Sequence, residues 1–180
     1  MNAMLDILCS FVIGALLMLN LQRMNGDLVT RTYKGGNEYV AQSNATFLSE
    51  MLNEDLHKVG YGVTGKKITL ADSTHLTFYG DVNRNGTVDS VKYVLGGGLP
   101  RTTNPRDRMF NRLFNAQSAD SASLGVTDFK FTYYDSSGAV TAVSSNIKGI
   151  QADVTLESPA PYDTSYAKSF VRVVVWPKNL

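Results

Sequence analysis

The residues best placed for chemistry lie in one short stretch, Asp81-Val82-Asn83-Arg84-Asn85-Gly86-Thr87-Val88-Asp89. Side-chain oxygens recur there at alternate positions, a glycine permits a sharp turn, and a second aspartate follows. That pattern suits a hard cation. Ca²⁺ takes about six to eight oxygen ligands, and an EF-hand loop supplies them at alternate positions around a fixed glycine. Asp81, Asn83, Asn85, the Thr87 carbonyl and Asp89 are therefore candidate calcium ligands. The stretch departs from an EF-hand at its end, where Lys92 replaces the bidentate glutamate and a strand pattern follows instead of a helix. With only Asp81 and Asp89 as carboxylates, binding is expected to be weak, because charge count sets affinity. The other reading of the same residues is a hairpin in which Asn85-Gly86 forms a type I′ turn.

Other candidates carry less. His57, beside Glu54 and Asp55, sits in an amphipathic pattern and reads as a solvated charged face, since no second histidine accompanies it as a metal ligand. His75 stands alone before a strand. Gly96-Gly97-Gly98 follows a strand but opens no helix, so it is not a phosphate cradle. Arg101, Arg106, Arg108 and Arg112, with Asp107 among them, read as a solvated loop. Asn44-Ala45-Thr46 and Asn85-Gly86-Thr87 match the glycosylation sequon. The single cysteine, Cys9, excludes an intrachain disulfide, and two histidines leave little material for a nucleophile and its base. No catalytic constellation emerges, and the chain is not expected to be an enzyme. Its 17 basic residues against 16 acidic ones give no electrostatic footprint for nucleic acid.

What must position these residues begins at the other end of the chain. Met4 to Leu21, MLDILCSFVIGALLMLNL, is apolar apart from Asp6, Ser10 and Asn20. As a helix it spans about 27 Å, close to the thickness of a bilayer core. No face is polar enough for the surface helix of a soluble domain. Three settings fit: lipid, the core of a secretory signal, or a bundle of its own kind. The signal is the weakest, because residues 1–3 carry no Lys or Arg and Leu21-Gln22-Arg23-Met24 is a poor cleavage site. Arg23, Arg31 and Lys34 after the span mildly oppose sending the following domain outward.

From Arg23 to Gln42 the chain turns polar, and Gly35-Gly36 is a predicted break or hinge. The expected organisation is an N-terminal membrane or assembly helix with its hinge, 1–36, and a globular head, 37–180. Asn44 to Val59 reads as a second, amphipathic helix. Ala45, Leu48, Met51, Leu52, Leu56 and Val59 mark its buried face, Ser43 or Asn44 its cap, and Gly60 its end. Period-two patterns predict strands at Lys67–Leu70, Leu76–Tyr79, Val88–Leu95, Phe129–Tyr134, Ile147–Leu156 and Ser169–Trp176, the last buried on both faces. Leu99 to Ser123 is expected to be irregular, pinned by Met109, Phe110, Leu113 and Phe114. The fold class is α+β: a long apolar helix and a second amphipathic helix packed on an antiparallel sheet.

Several of these segments together resemble a known family. Glu50-Met51-Leu52-Asn53-Glu54-Asp55-Leu56-His57-Lys58-Val59-Gly60-Tyr61-Gly62 is similar to the "E-x-D-L-R-x-A-G-Y-G" segment of type IV pilin-like minor pseudopilins and minor pilins. Phe78-Tyr79-Gly80-Asp81 with the Asn-rich loop, followed by Val91-Lys92-Tyr93-Val94-Leu95, resembles a region where relatives carry "G-D-x-D-G-D-G-T-x-D". Gly125 to Asp135, GVTDFKFTYYD, is the nearest match, and Pro177-Lys178-Asn179-Leu180 resembles the "R-N-L" close. The similarity covers most of residues 44–180. It departs at the start, where a basic leader ending in Gly and a Phe-Thr-Leu-x-Glu segment are missing. Either a leader has been removed or the usual peptidase does not process this relative.

The resemblance implies a structural subunit of a type IV pilus-like or type II secretion-like filament, assembled through its N-terminal helix. Its partners would be copies of itself or other pilin-like subunits, with the bacterial inner membrane holding it before assembly. The head would be extracytoplasmic, at that membrane or in a cell-surface or periplasmic filament. Asp6 corresponds to the acid that neutralises a neighbour's N-terminal amine in that family, and Leu16 and Leu17 would lie in the filament core. The alternative is a membrane-anchored accessory or adhesion module that does not polymerise and carries a weak calcium loop.

Overall fold

The computed structural model describes residues 2–99, 102–122 and 124–180. The chain divides into two compact units, Met1–Gly36 and Asn37–Leu180. A single helix, α1, covers Asn2–His57. The predicted break at Gly35-Gly36 is not formed, and the predicted second helix is the C-terminal part of α1 rather than an element of its own. A helical glycine costs only about 1 kcal/mol relative to alanine, which a long uninterrupted ladder of hydrogen bonds absorbs. The caps expected at Ser43 or Asn44 are likewise absent, and Asn44 instead donates its amide to the Leu124 carbonyl at 3.0 Å.

In the second unit the buried stripe of α1 is Ala41, Ala45, Leu48, Leu52 and Leu56, at the three- and four-residue spacing of one helix face. Val59, also buried, follows the last turn. Gly60 then adopts φ 77° and its N–H donates to the Tyr79 carbonyl at 2.8 Å, so the chain leaves the helix directly onto a strand.

The strands form two antiparallel sheets, where the sequence suggests one. The first is a five-stranded meander: β1 (Ile68–Ala71), β2 (His75–Gly80), β3 (Asp89–Gly98), β4 (Arg108–Phe114) and β5 (Gln117–Ala122), in that order. The second contains β6 (Val126–Tyr134), β7 (Gly149–Glu157) and β8 (Lys168–Val175). The class is α+β.

Three strand expectations change. The segment expected to be irregular holds β4 and β5, joined where Phe114 pairs with Gln117. Asn115 and Ala116 between them have φ 49° and 61°, the two left-handed residues of a type I′ hairpin turn. Alanine there hides the turn from sequence reading. Of the four predicted pins, Phe110 is buried, Leu113 and Phe114 are half-buried, and Met109 is exposed. The last strand, β8, is an edge strand buried on one face only. Val173 and Val175 face the core, whereas Phe170 and Val174 are exposed.

The core is continuous across both sheets. Tyr93 and Phe110 stack at 5.6 Å, Phe110 meets Phe129 at 4.9 Å, and Phe129 meets Phe131 edge-on at 4.7 Å. Such ring pairs add about 0.5–1.5 kcal/mol each beyond area burial. Backbone approaches are equally close. A Cβ on Gly80 would lie 2.2 Å from the Lys58 carbonyl oxygen, and one on Gly125 2.2 Å from that of Glu157.

Because the obstacle at Gly80 is backbone, Gly80→Ala is expected to cost about 2–3 kcal/mol of the stability of the head, a clash typical of overpacked sites. Gly65→Ala, in open space, should stay within about 0.5 kcal/mol. Urea denaturation followed by tryptophan fluorescence distinguishes the two, and equal midpoints would show that the β2 end can shift.

Candidate functional site

The stretch 81–89 connects β2 to β3, whose last pair is Gly80 with Asp89. It is too long for a two-residue turn. Positive φ occurs at Arg84 (59°) and Gly86 (85°), while Asn85 is not in the left-handed region, so the Asn85-Gly86 type I′ turn is not formed.

The loop folds around its own side-chain oxygens. Asp81, 6% exposed, accepts the Asn85 N–H on Oδ1 at 3.0 Å and the Gly86 N–H on Oδ2 at 2.9 Å. Asn83 Oδ1 also accepts from Asn85 N–H at 3.0 Å. Asn85 Oδ1 takes the Thr87 N–H at 2.8 Å and its hydroxyl at 2.5 Å. Asp89, 2% exposed, accepts the Asn115 side-chain amide on Oδ1 at 2.8 Å, and its Oδ2 is buried without a hydrogen-bond partner. Arg84 is exposed. Glu54 of α1 is held below its ordinary pKa by the hydrogen bond and charge of Lys58 and, to a smaller degree, by the charge of Arg84. Lys92, at the position of the missing glutamate, is exposed on β3. Asn115 was not legible as a partner of Asp89, because it comes from the neighbouring β4–β5 turn.

Along the first unit, every apolar side chain named at the sequence level is exposed. Met4, Ile7, Leu8, Phe11, Val12, Ile13, Leu16, Leu17, Met18 and Leu19 all show more than half their surface. This is one helix long and apolar enough to cross a membrane. Asp6 is exposed on it, and the Ser10 hydroxyl donates to the Asp6 carbonyl at 2.8 Å.

The remaining sequence candidates serve the fold. His57 donates from Nδ1–H to the Asn53 carbonyl at 2.7 Å on an exposed face, and His75 meets the Thr74 hydroxyl at 3.0 Å. Among the described residues no three His, Cys, Asp or Glu side chains converge on a metal position. Arg101 lies outside the described residues. The rest of the basic cluster is engaged in separate contacts. Arg106 pairs with buried Glu157 at 2.8 Å, Arg108 donates to the Gly96 carbonyl at 3.0 Å, and Arg112 reaches Asp55 at 2.7 Å.

Comparison of the chain with family models, curated proteins and solved structures gives no match.

Sequence reasoning missed the buried polar group that Asp55 builds. Asp55, 4% exposed, accepts the Tyr93 hydroxyl at 2.5 Å on the same oxygen that takes Arg112 Nε, and Arg112 Nη2 donates to the other at 3.2 Å. The signal was present, since Asp55 lies three residues after Leu52 and four before Val59, on the buried stripe. Burial lowers the pKa of Arg112, but the hydrogen bonds and charge of Asp55 more than reverse this and hold the guanidinium above its ordinary value. Burial first, then the adjacent Asp55 carboxylate, push Tyr93 well above the usual phenol range. Burial does the same to Tyr133, whose hydroxyl donates to the Asp72 carbonyl at 2.8 Å.

Both phenols have folded pKa values above their unfolded value of about 10. Their contribution is therefore complete below pH 10 and is lost as pH rises further, by about 1.4 kcal/mol per pH unit for each phenol that ionises only on unfolding. Tyr133→Phe should roughly halve the fall in stability between pH 10 and 11, read from urea midpoints at each pH. An unchanged slope would mean that Tyr133 ionises in the folded protein.

Proposed function

We propose that this chain is a structural subunit of a type IV pilus-like or type II secretion-like filament, assembled through its N-terminal apolar helix. The observation that supports it is the all-round exposure of apolar side chains between Met4 and Leu21 on a helix that continues to a separately packed head. An apolar surface beyond about 300–600 Å² is a partner or membrane surface on a soluble body. Helix-on-helix packing of copies would cover it, and lipid would cover it before assembly. The resemblance of residues 44–180 to minor pseudopilins and minor pilins points to that occupant. On this reading the head is extracytoplasmic, the chain does no chemistry, and its partners are copies of itself or other pilin-like subunits.

Assembly is the test. Full-length protein should yield filaments with a helical repeat in electron micrographs, and Leu16→Arg or Leu17→Arg should abolish them. A charge at the centre of such a helix costs about 2.5–3.5 kcal/mol on insertion and more when packed without a partner. Filaments at normal yield in either variant would refute the polymer core. Particles that stay monomeric in the parent would instead favour the anchored accessory or adhesion module.

Asp6 carries a separate expectation. If its carboxylate neutralises a neighbour's N-terminal amine within the packed helices, Asp6→Asn leaves that amine buried and unpaired, a loss of about 3–5 kcal/mol per contact. Filament yield should then fall sharply while membrane insertion is retained. Unchanged yield would place Asp6 in water at a helix end.

A further inference from the structure

A cavity of about 290 Å³ opens in the head where three separate segments of the chain meet. Lys66 and Lys67 reach it from the residues just before β1, and Ser144, Ser145 and Lys148 from the β6–β7 connection. The segment after β8 closes it with Leu180. Among the described residues no carboxylate side chain lines it, and the ammonium groups of Lys66 and Lys148 have no hydrogen-bond or ion-pair partner. Elsewhere in the head lysines are paired, Lys58 with Glu54 and Lys168 with Glu157. Lys67 is anchored instead: its Nζ donates to the Asn179 carbonyl, and a Cβ on Gly60 would lie 2.9 Å from its Cδ. Two of its three N–H groups remain to donate. Lys148 is half-buried, with its backbone N–H held by the Tyr134 carbonyl at 2.7 Å. The two serines sit on the short 3-10 turn Ser144–Asn146, closed by the Asn146 N–H on the Val143 carbonyl at 2.9 Å. Buried Ile68 and Ile147 give the cavity an apolar wall. Like charges beside such a wall repel strongly, because little water screens them.

We propose that this cavity binds one phosphate group, either the free ion or the end of a small phosphorylated molecule. Charge selects the class. The cavity presents three ammonium groups, and a phosphate monoester carries about −1.5 to −2 with three strong acceptor oxygens, whereas a carboxylate carries a single charge. Geometry agrees. Ammonium groups are compact point charges that can meet a tetrahedral anion from several sides, while the planar carboxylate is the match for an arginine fork. The Ser144 and Ser145 hydroxyls line the same space and can donate to oxygens that the lysines leave open. Size limits the ligand. At about 290 Å³ the cavity stands at the small end of ligand pockets, which run from about 300 to 1,000 Å³, so it takes a phosphate with a few carbons. A nucleic-acid strand needs a row of cations along its backbone, and one cavity does not supply it.

The experiment titrates the full chain in detergent with sodium phosphate by calorimetry, at constant ionic strength set with NaCl, and reads Tm in parallel. The expected result is one phosphate per chain and a Tm that climbs with phosphate concentration. Sodium acetate at the same concentration should bind at least tenfold more weakly, since it brings one charge where phosphate brings nearly two. Lys148→Gln and Lys66→Gln should each weaken phosphate binding about tenfold, the worth of one charge-assisted hydrogen bond. Lys92→Gln, exposed on β3 and outside the cavity, should leave it unchanged. Lys66 is exposed, so its variant decides the matter if Lys148→Gln fails to fold. Glycerol 3-phosphate separates the two sources: binding tighter than inorganic phosphate identifies a small organic phosphate, and weaker binding identifies the free ion. Absence of phosphate heat and of a Tm rise in the parent would overturn the proposal. So would equal binding of acetate, binding that both Lys66→Gln and Lys148→Gln leave unchanged, or binding of a DNA oligonucleotide without binding of inorganic phosphate. None of these outcomes depends on filament formation.

Discussion

The head is registered by one buried carboxylate. Asp55 projects from the apolar stripe of α1 and is met by a phenol from β3 and a guanidinium from β4. Removing that carboxylate from water is costly, and only donors from both strands offset the cost. A helix slid by one turn would put Leu52 or Val59 in place of Asp55 opposite Arg112 and Tyr93. The interaction therefore selects one placement of helix on sheet among many that would bury the same leucines. Leu48, Leu52 and Leu56 provide the area, and Asp55 provides the address. The Lys58 carbonyl then comes so close to Gly80 that no side chain fits between them.

The same logic recurs at the far end of the head. Glu157, buried at the end of β7, draws Asn104 at 3.0 Å and Arg106 at 2.8 Å from the β3–β4 connection, with Lys168 of β8 at 3.4 Å. A connection with few apolar residues is thus held by charge. Asp89 belongs to this set in its burial but differs in its satisfaction, since donors reach only one of its oxygens. Asp55 and Glu157 each close on an arginine, whereas Asp89 is met by the Asn115 amide.

The first unit obeys the opposite rule. Between Met4 and Leu21 its apolar side chains are exposed all round, on a helix long and apolar enough to cross a membrane. Its backbone is already satisfied by the helix, which is the condition for residence in lipid or in a bundle of like helices. Polarity is confined to Asp6, Ser10 and Asn20. Head and helix are thus specified by different balances of the same two effects, burial of apolar area and satisfaction of polar groups.

The sequence by itself determined the elements whose signals are local. The apolar run before Leu21, the buried face from Ala45 to Leu56, and the alternation in β2, β3, β6 and β7 were all legible, because side-chain periodicity reports directly which face meets the core. So was the oxygen-rich composition of residues 81–89. Tertiary structure decided whatever depends on a distant partner. Gly35-Gly36 stays helical because helix cooperativity outweighs two weak residues. β4 and β5 form because Phe110 has an aromatic core to enter and Asn115-Ala116 can be held in a turn that alanine does not advertise. β8 is an edge because no further strand pairs with it among the described residues, a fact its valines cannot encode. Asp55 looked like any surface aspartate, and Asp89 was legible only as an oxygen of the 81–89 stretch. Their partners come from far along the chain: Arg112 donates to both oxygens of Asp55, whereas Asn115 reaches only Oδ1 of Asp89.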